Sequence, residues 1–188
     1  VRSDVMAQVM AYLAARARNR AGKTAIQHHN DYVLYVTAMF VLIVGHRRAR
    51  TILPFLHDLN FKEATAFIAD KMREGSEARF VPLVDLLIEQ FQAYLAHVRF
   101  FEVELGRTHA SLAKSIRVAI GLSALGKGQE PVRHTGPLFR IRGQRAIPVT
   151  TVAVDAAIRE ALKTLGLGDS ARIEVRALRR NEIGRAHV

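Results

Sequence analysis

Along this chain apolar residues recur at spacings of three and four, broken in places by short stretches that alternate. Val5, Val9, Met10 and Leu13 follow Ser3 and Asp4, either of which suits the cap of a first helix. That helix turns into the basic segment RARNRAGK around Gly22, which is expected at the surface. A second helix is predicted from about Ala25 to Val44, growing more apolar toward its end before it meets Gly45 and the polar HRRAR. Its most apolar part, VLYVTAMFVLIVG, is too short to span a bilayer and runs straight into cations, so it reads as a buried core helix. Beyond it come a break at Pro54, a turn at HDLNF and the first strand of a hairpin. In ADKMREGSEARFVPL, alternation on either side of Gly75 predicts two brief strands, with Lys71 near a stiff turn.

Pro82 then opens a long helix to about Val103, whose inward face is read as Val84, Leu87, Ile88, Phe91, Leu95 and Val98. Leu112, Ile116, Ala119 and Ile120 mark another amphipathic segment ending near Gly126, followed by the polar loop GKGQEPVRHTGP. LFRIRG reads as a short strand; Thr150 or Thr151 can cap the helix TVAVDAAIREALKTLG, and Gly166 stops it. ARIEVRALRRN begins one more helix. No internal repeat or heptad array appears, which sets solenoid and coiled-coil architectures aside. The expected fold is mainly α with a small antiparallel β-sheet, an α+β domain.

Composition changes the picture in two ways. At 188 residues and 49% hydrophobic, the chain suits one globular domain with a sizeable core. Lys plus Arg number 28 against 17 for Asp plus Glu, a net charge of +11, so the surface field attracts polyanions and nucleic acid is the leading partner. The charges are spread along the chain with no juxtamembrane cluster, which ranks an acidic membrane surface lower. The absence of cysteine fits a reducing cytoplasm and removes disulfides and thiolate metal sites, so redox chemistry is not expected. His28 and His29 are adjacent, so on a helix their rings diverge and do not readily share a metal; no metal site is expected.

The chain opens with Val rather than Met, and its last seven residues, EIGRAHV, can be spelled by a common sequencing adapter read in frame. Residues 182–188 are accordingly read as a non-native tail on a fragment. Removing them subtracts one acidic and one basic residue, Glu182 and Arg185, and leaves the charge argument intact.

Three basic spots stand in order: GHRRAR after the buried helix, Lys71 in the hairpin, and RALRR at the start of the late helix. That order resembles the catalytic domain of tyrosine recombinases, the phage-type integrases. VGHR matches the turn that carries the family's first arginine, at Gly45 and Arg47; DKMREGSEARFVPL matches its lysine hairpin, at Lys71. LFRIRG and VRALRR match the later strand and the second arginine motif, at Arg179. The likeness runs from about Ala25 to Asn181. It makes residues 1–181 a partial catalytic domain, with 1–24 an N-terminal helix and basic linker and 107–137 an insertion.

The resemblance implies site-specific DNA recombination or integration by transesterification through a 3′-phosphotyrosyl intermediate. Arg47 and Arg179 would clamp the scissile phosphate, because guanidinium forks bind two non-bridging oxygens and stay charged. Lys71 would protonate the leaving 5′ oxygen, and Arg176 would fill the second acid–base or phosphate position where the family usually has a histidine. Arg48, Arg73, Arg79 and Arg180 would bind the DNA backbone. A tyrosine nucleophile conserves the phosphodiester energy, so the chemistry needs no metal and no nucleotide cofactor. The family's tyrosine lies beyond the second arginine, whereas the tyrosines here are Tyr12, Tyr32, Tyr35 and Tyr94. Binding without cleavage is therefore expected of the fragment, and a synaptic tetramer of the complete protein. The rival readings are a non-catalytic, sequence-tolerant DNA-binding relative and, more remotely, an RNA-binding helical module, for which no aromatic stacking surface speaks.

Overall fold

The computed structural model describes residues 3–44, 58–69, 78–119 and 136–167. These form a mainly helical α+β arrangement with small antiparallel sheets. Helix α1 (Ser3–Arg18) packs on α2 (Ala25–Val44) through Met6, Val9, Leu13 and Ala17, a stripe at helical spacing that is buried throughout. Between them Thr24 and Gln27 form a capping box. The Thr24 hydroxyl accepts from the Gln27 amide at 3.2 Å, and the Gln27 side-chain carbonyl accepts from the Thr24 amide at 2.9 Å. This fixes the start of α2 where the sequence placed it. Val33, Val36, Phe40 and Val44 then run through the centre of the molecule with almost no exposed surface.

A three-stranded sheet follows: β1 (Leu59–Asn60), β2 (Thr65–Ala69) and β3 (Ala78–Pro82), all antiparallel, with β2 in the middle. The HDLNF segment, expected as a turn, thus supplies a strand as well. Asn60 ends that strand and accepts from the Glu63 amide at 3.0 Å, while Ala64, at φ +50, delivers the chain into β2. Helix α3 (Asp85–Gly106) starts three residues after Pro82, which itself belongs to β3. Val84, assigned to the inward face on its spacing, is instead the exposed N-cap residue, because the helix begins after it. The buried face is Leu87, Phe91, Tyr94, Val98, Phe101 and Leu105, and it lies against α2, with Phe40 and Phe91 edge to face at 5.9 Å.

Helix α4 (Ala110–Ala119) folds back on α3 inside the segment expected as an insertion. Its Arg117 reaches the buried Glu102 carboxylate at 2.5 Å, so this cation neutralises an acid in the core. LFRIRG is a strand as expected, β4 (Phe139–Arg142), and pairs with an unanticipated partner, β5 (Arg145–Pro148). Gly143 takes the first central position of their two-residue turn at φ +60. Thr150, not Thr151, caps α5 (Thr151–Thr164), accepting from the Ala153 amide. At its far end Gly166 is left-handed at φ +69, and the Leu167 amide returns to the Leu162 carbonyl at 2.8 Å, a Schellman closure. Among the described residues no helix is long and apolar enough to cross a membrane.

Candidate nucleic-acid interface

Of the basic residues singled out by the sequence, Arg79 alone lies among the described residues. Helix α2 ends at Val44, one residue before Gly45; Arg47 and Arg48 lie outside the described residues. Strands β2 and β3 pair from Thr65 opposite Pro82 to Ala69 opposite Ala78. Lys71 and Arg73 belong in sequence to the connection between those last paired residues and also lie outside the described set, as do Arg176, Arg179 and Arg180 after α5. Arg79 is described: it sits on β3 opposite Ile68, with its side chain exposed. Beside it Phe80 is 74% exposed and meets its cross-strand neighbour Phe67 at 5.4 Å. The outer face of this sheet thus carries an aromatic pair, while Arg79, opposite Ile68, is an exposed cation on the other face.

A second basic feature escaped the sequence. An open cleft of about 390 Å³ is lined by Arg16, Lys23, Gln27, Asn30, Asp31 and Arg140, among others. Asp31 bridges two of its cations, Arg16 at 2.8 Å and Lys23 at 3.0 Å, and Arg16 also holds Glu160 of α5 at 2.6 Å. Burial alone would depress the Arg16 guanidinium, but hydrogen bonds to Glu160 and Asp31 carry its pKa well above the ordinary value. The cleft is thus largely self-neutralised, an electrostatic tie between α1, α2 and α5.

The adjacent histidines resolve into a buried layer. His29 carries no exposed surface, and its Nε2 donates to the Phe139 carbonyl of β4 at 3.0 Å. Its Nδ1 must therefore accept, and it does so from His97 Nε2 of α3 at 3.3 Å. Phe101 stacks on the His29 ring at 4.4 Å and 5°, and Phe139 closes another side at 4.8 Å. Burial, with the neighbouring His97, lowers the His29 pKa to about 3; burial, with His28 and Arg20, lowers that of His97 to about 4. Both rings are neutral near pH 7. His28 is lowered too, first by burial and then by Arg20, and its Nδ1 is buried without a hydrogen-bond partner. Among the described residues no group of three or more His, Asp or Glu side chains is arranged to hold a metal ion. Neutral near pH 7, with His29 enclosed and bonded to both His97 and β4, the two imidazoles tie α2 and α3 to that strand, a structural role.

Two neighbours complete that role. Asn30 donates to the Ile141 carbonyl at 2.9 Å and accepts from the Ile141 amide at 2.8 Å, pairing with β4 as another strand would. Tyr94 donates to the Pro137 carbonyl at 3.0 Å. Its hydroxyl is fully buried, and burial holds its pKa well above the usual tyrosine value. Tyr32 and Tyr35 are raised for the same reason. No protein-family model matches the chain, and no curated protein matches it.

Proposed function

We propose that this chain is part of a tyrosine-recombinase-type catalytic domain that grips duplex DNA through its phosphates. In this reading Arg47 and Arg179 clamp the scissile phosphate, Lys71 is the general acid, and Arg176 takes the second acid–base or phosphate position. Arg48, Arg73, Arg79 and Arg180 hold the flanking backbone. The observation that carries the reading is the β2–β3 pairing, which ends at Ala69 and Ala78. In sequence Lys71 follows the last paired residue of this antiparallel ribbon by two positions, and a two-stranded ribbon is an element that a DNA major groove admits. The net charge of +11 supplies the long-range attraction.

The second reading, a DNA-binding relative without chemistry, is favoured by the tyrosines. All four sit on α1, α2 or α3, and Tyr94 and Tyr35 are buried. A phenol with its pKa raised and its proton committed to a backbone carbonyl is a poor nucleophile. The 188-residue chain should therefore bind DNA and leave it intact.

Fluorescence anisotropy on a labelled duplex, titrated with NaCl, tests the shared part. The triple variant Arg47→Ala, Lys71→Ala, Arg179→Ala should reduce the slope of log affinity against log salt by about three. An unchanged slope would remove these residues from the interface. Incubation with a nicked duplex should leave no covalent protein–DNA adduct, and an adduct would refute the assignment of the tyrosines. Reading the gene past the Asn181 codon separates the two hypotheses: a frame continuing into a tyrosine on a late helix favours the enzyme.

A further inference from the structure

Helix α3 is apolar on two sides. Leu87, Phe91, Tyr94, Val98, Phe101 and Leu105 face the core. At about 100° of turn per residue, Leu86, Glu89, Ala93, Ala96, Phe100 and Val103 fall on nearly the opposite side, spaced three, four, three, four and three residues apart. Every one of them is exposed, and the large ones conspicuously so: Leu86 at 55%, Phe100 at 60% and Val103 at 56%. A seam of this kind with small residues at its middle suits a second helix in close approach.

The order of residues along the seam identifies that helix. Turned end for end, the seam matches itself: Leu86 meets Val103, Glu89 meets Phe100, and Ala93 meets Ala96, so the two alanines sit either side of a two-fold axis where backbones must come closest. The charges agree with this register. Glu89 and Arg99 make no ion pair with any described residue and are too far apart along one helix to meet. In the antiparallel pair Arg99 of the second copy comes level with Glu89, and the contact occurs twice by symmetry. We propose that α3 pairs through this outer face, antiparallel, with α3 of a second copy of this chain. The inference is independent of the DNA reading.

One helix pair buries less than the roughly 1,200 Å² of a stable interface, so the dimer is weak, with dissociation at roughly 10–100 μM. Sedimentation equilibrium of the full chain from about 10 to 500 μM, in salt enough to screen the +11 charge, should show reversible dimerisation. Ala96→Glu, on an exposed position where glutamate is a good helix former, should return it to monomer. Because the chain has no cysteine, register can be read directly. A mixture of Leu86→Cys and Val103→Cys chains should form the mixed disulfide under mild oxidation. Leu86→Cys alone should not, because the two positions 86 would lie about 25 Å apart. A monomer at 500 μM, or self-crosslinking of Leu86→Cys as efficient as the mixed pair, overturns the proposal. The first outcome leaves the face to a different protein or to another part of a longer chain.

Discussion

The two hairpins of this molecule have similar local sequences and opposite fates. FRIRGQRAIP and TAFIA with ARFVP both place apolar residues on short antiparallel strands, and both carry arginines. The β4–β5 hairpin is clasped by helices: His29, Asn30 and Tyr94 all bond to main-chain groups at its start, and Phe139 and Ile141 are buried. The β2–β3 ribbon lays Ala66 and Ile68 on the core and turns Phe80 outward, while Arg79, opposite Ile68 near the end of the pairing, is exposed. What separates an internal strut from a candidate binding element is the set of polar side chains that reach it from α2 and α3. Alternation within the strands does not reveal that set.

Acid should strip the clasp away and leave the ribbon's own contacts unaffected. His29 has a folded pKa of about 3, against about 6.5 when exposed. The unfolded chain therefore takes up the proton first, and stability is complete above pH 6.5 and falls as the pH drops toward 3. His29 alone should remove about 3 kcal/mol between pH 6.5 and 4; His97 adds less, since water screens its partly exposed ring. Urea midpoints measured at intervals between pH 8 and 4 give the slope, and a flat profile would mean that the imidazoles are not buried neutral.

His29→Ala at pH 7.5 should cost nearly as much, about 3 kcal/mol, because it leaves a cavity under Phe101 and an unpaired Phe139 carbonyl. It should also flatten most of the acid slope, which a mere packing defect would leave in place. Tyr94→Phe is milder. It keeps the ring and removes one buried donor, so about 1–2 kcal/mol is expected in the same urea titration. If Tyr94→Phe matched His29→Ala, the clasp would depend on the hydroxyl rather than on the imidazole pair.

How far the sequence carried depended on the distance between interacting residues. The Thr150 cap, the Gly166 stop and Leu87, Phe91 and Val98 on the core face of α3 are local signals and were legible. Strands β1 and β5 were not, since each is two to four residues long and is defined by its partner. His29, Asn30 and Tyr94 meet residues far along the chain, and a ring or amide at helical spacing gives no hint of which carbonyl it will find. The inward face of α3 accounted for its apolar periodicity, which hid the outer seam until exposure was known. Of the basic residues read from the resemblance, Arg79 alone can be set on a described element.

The smallest expected effect on stability falls on that residue, and it is the one that sharpens the comparison. Arg79→Ala on β3 should change the unfolding free energy by no more than about 0.5 kcal/mol, as exposed strand positions generally do. Its effect on duplex DNA should be specific in kind: a salt slope smaller by about one and an affinity loss nearly uniform across sequences, because a phosphate contact carries no base information. Arg142→Ala, an equally exposed arginine at the end of β4, supplies the control. If the ribbon is the binding element and the clasped hairpin the strut, Arg79→Ala lowers the slope and Arg142→Ala leaves it alone. Equal losses from both would mean that DNA is held by the diffuse field of the +11 chain, and the distinction between the hairpins would then be one of stability only.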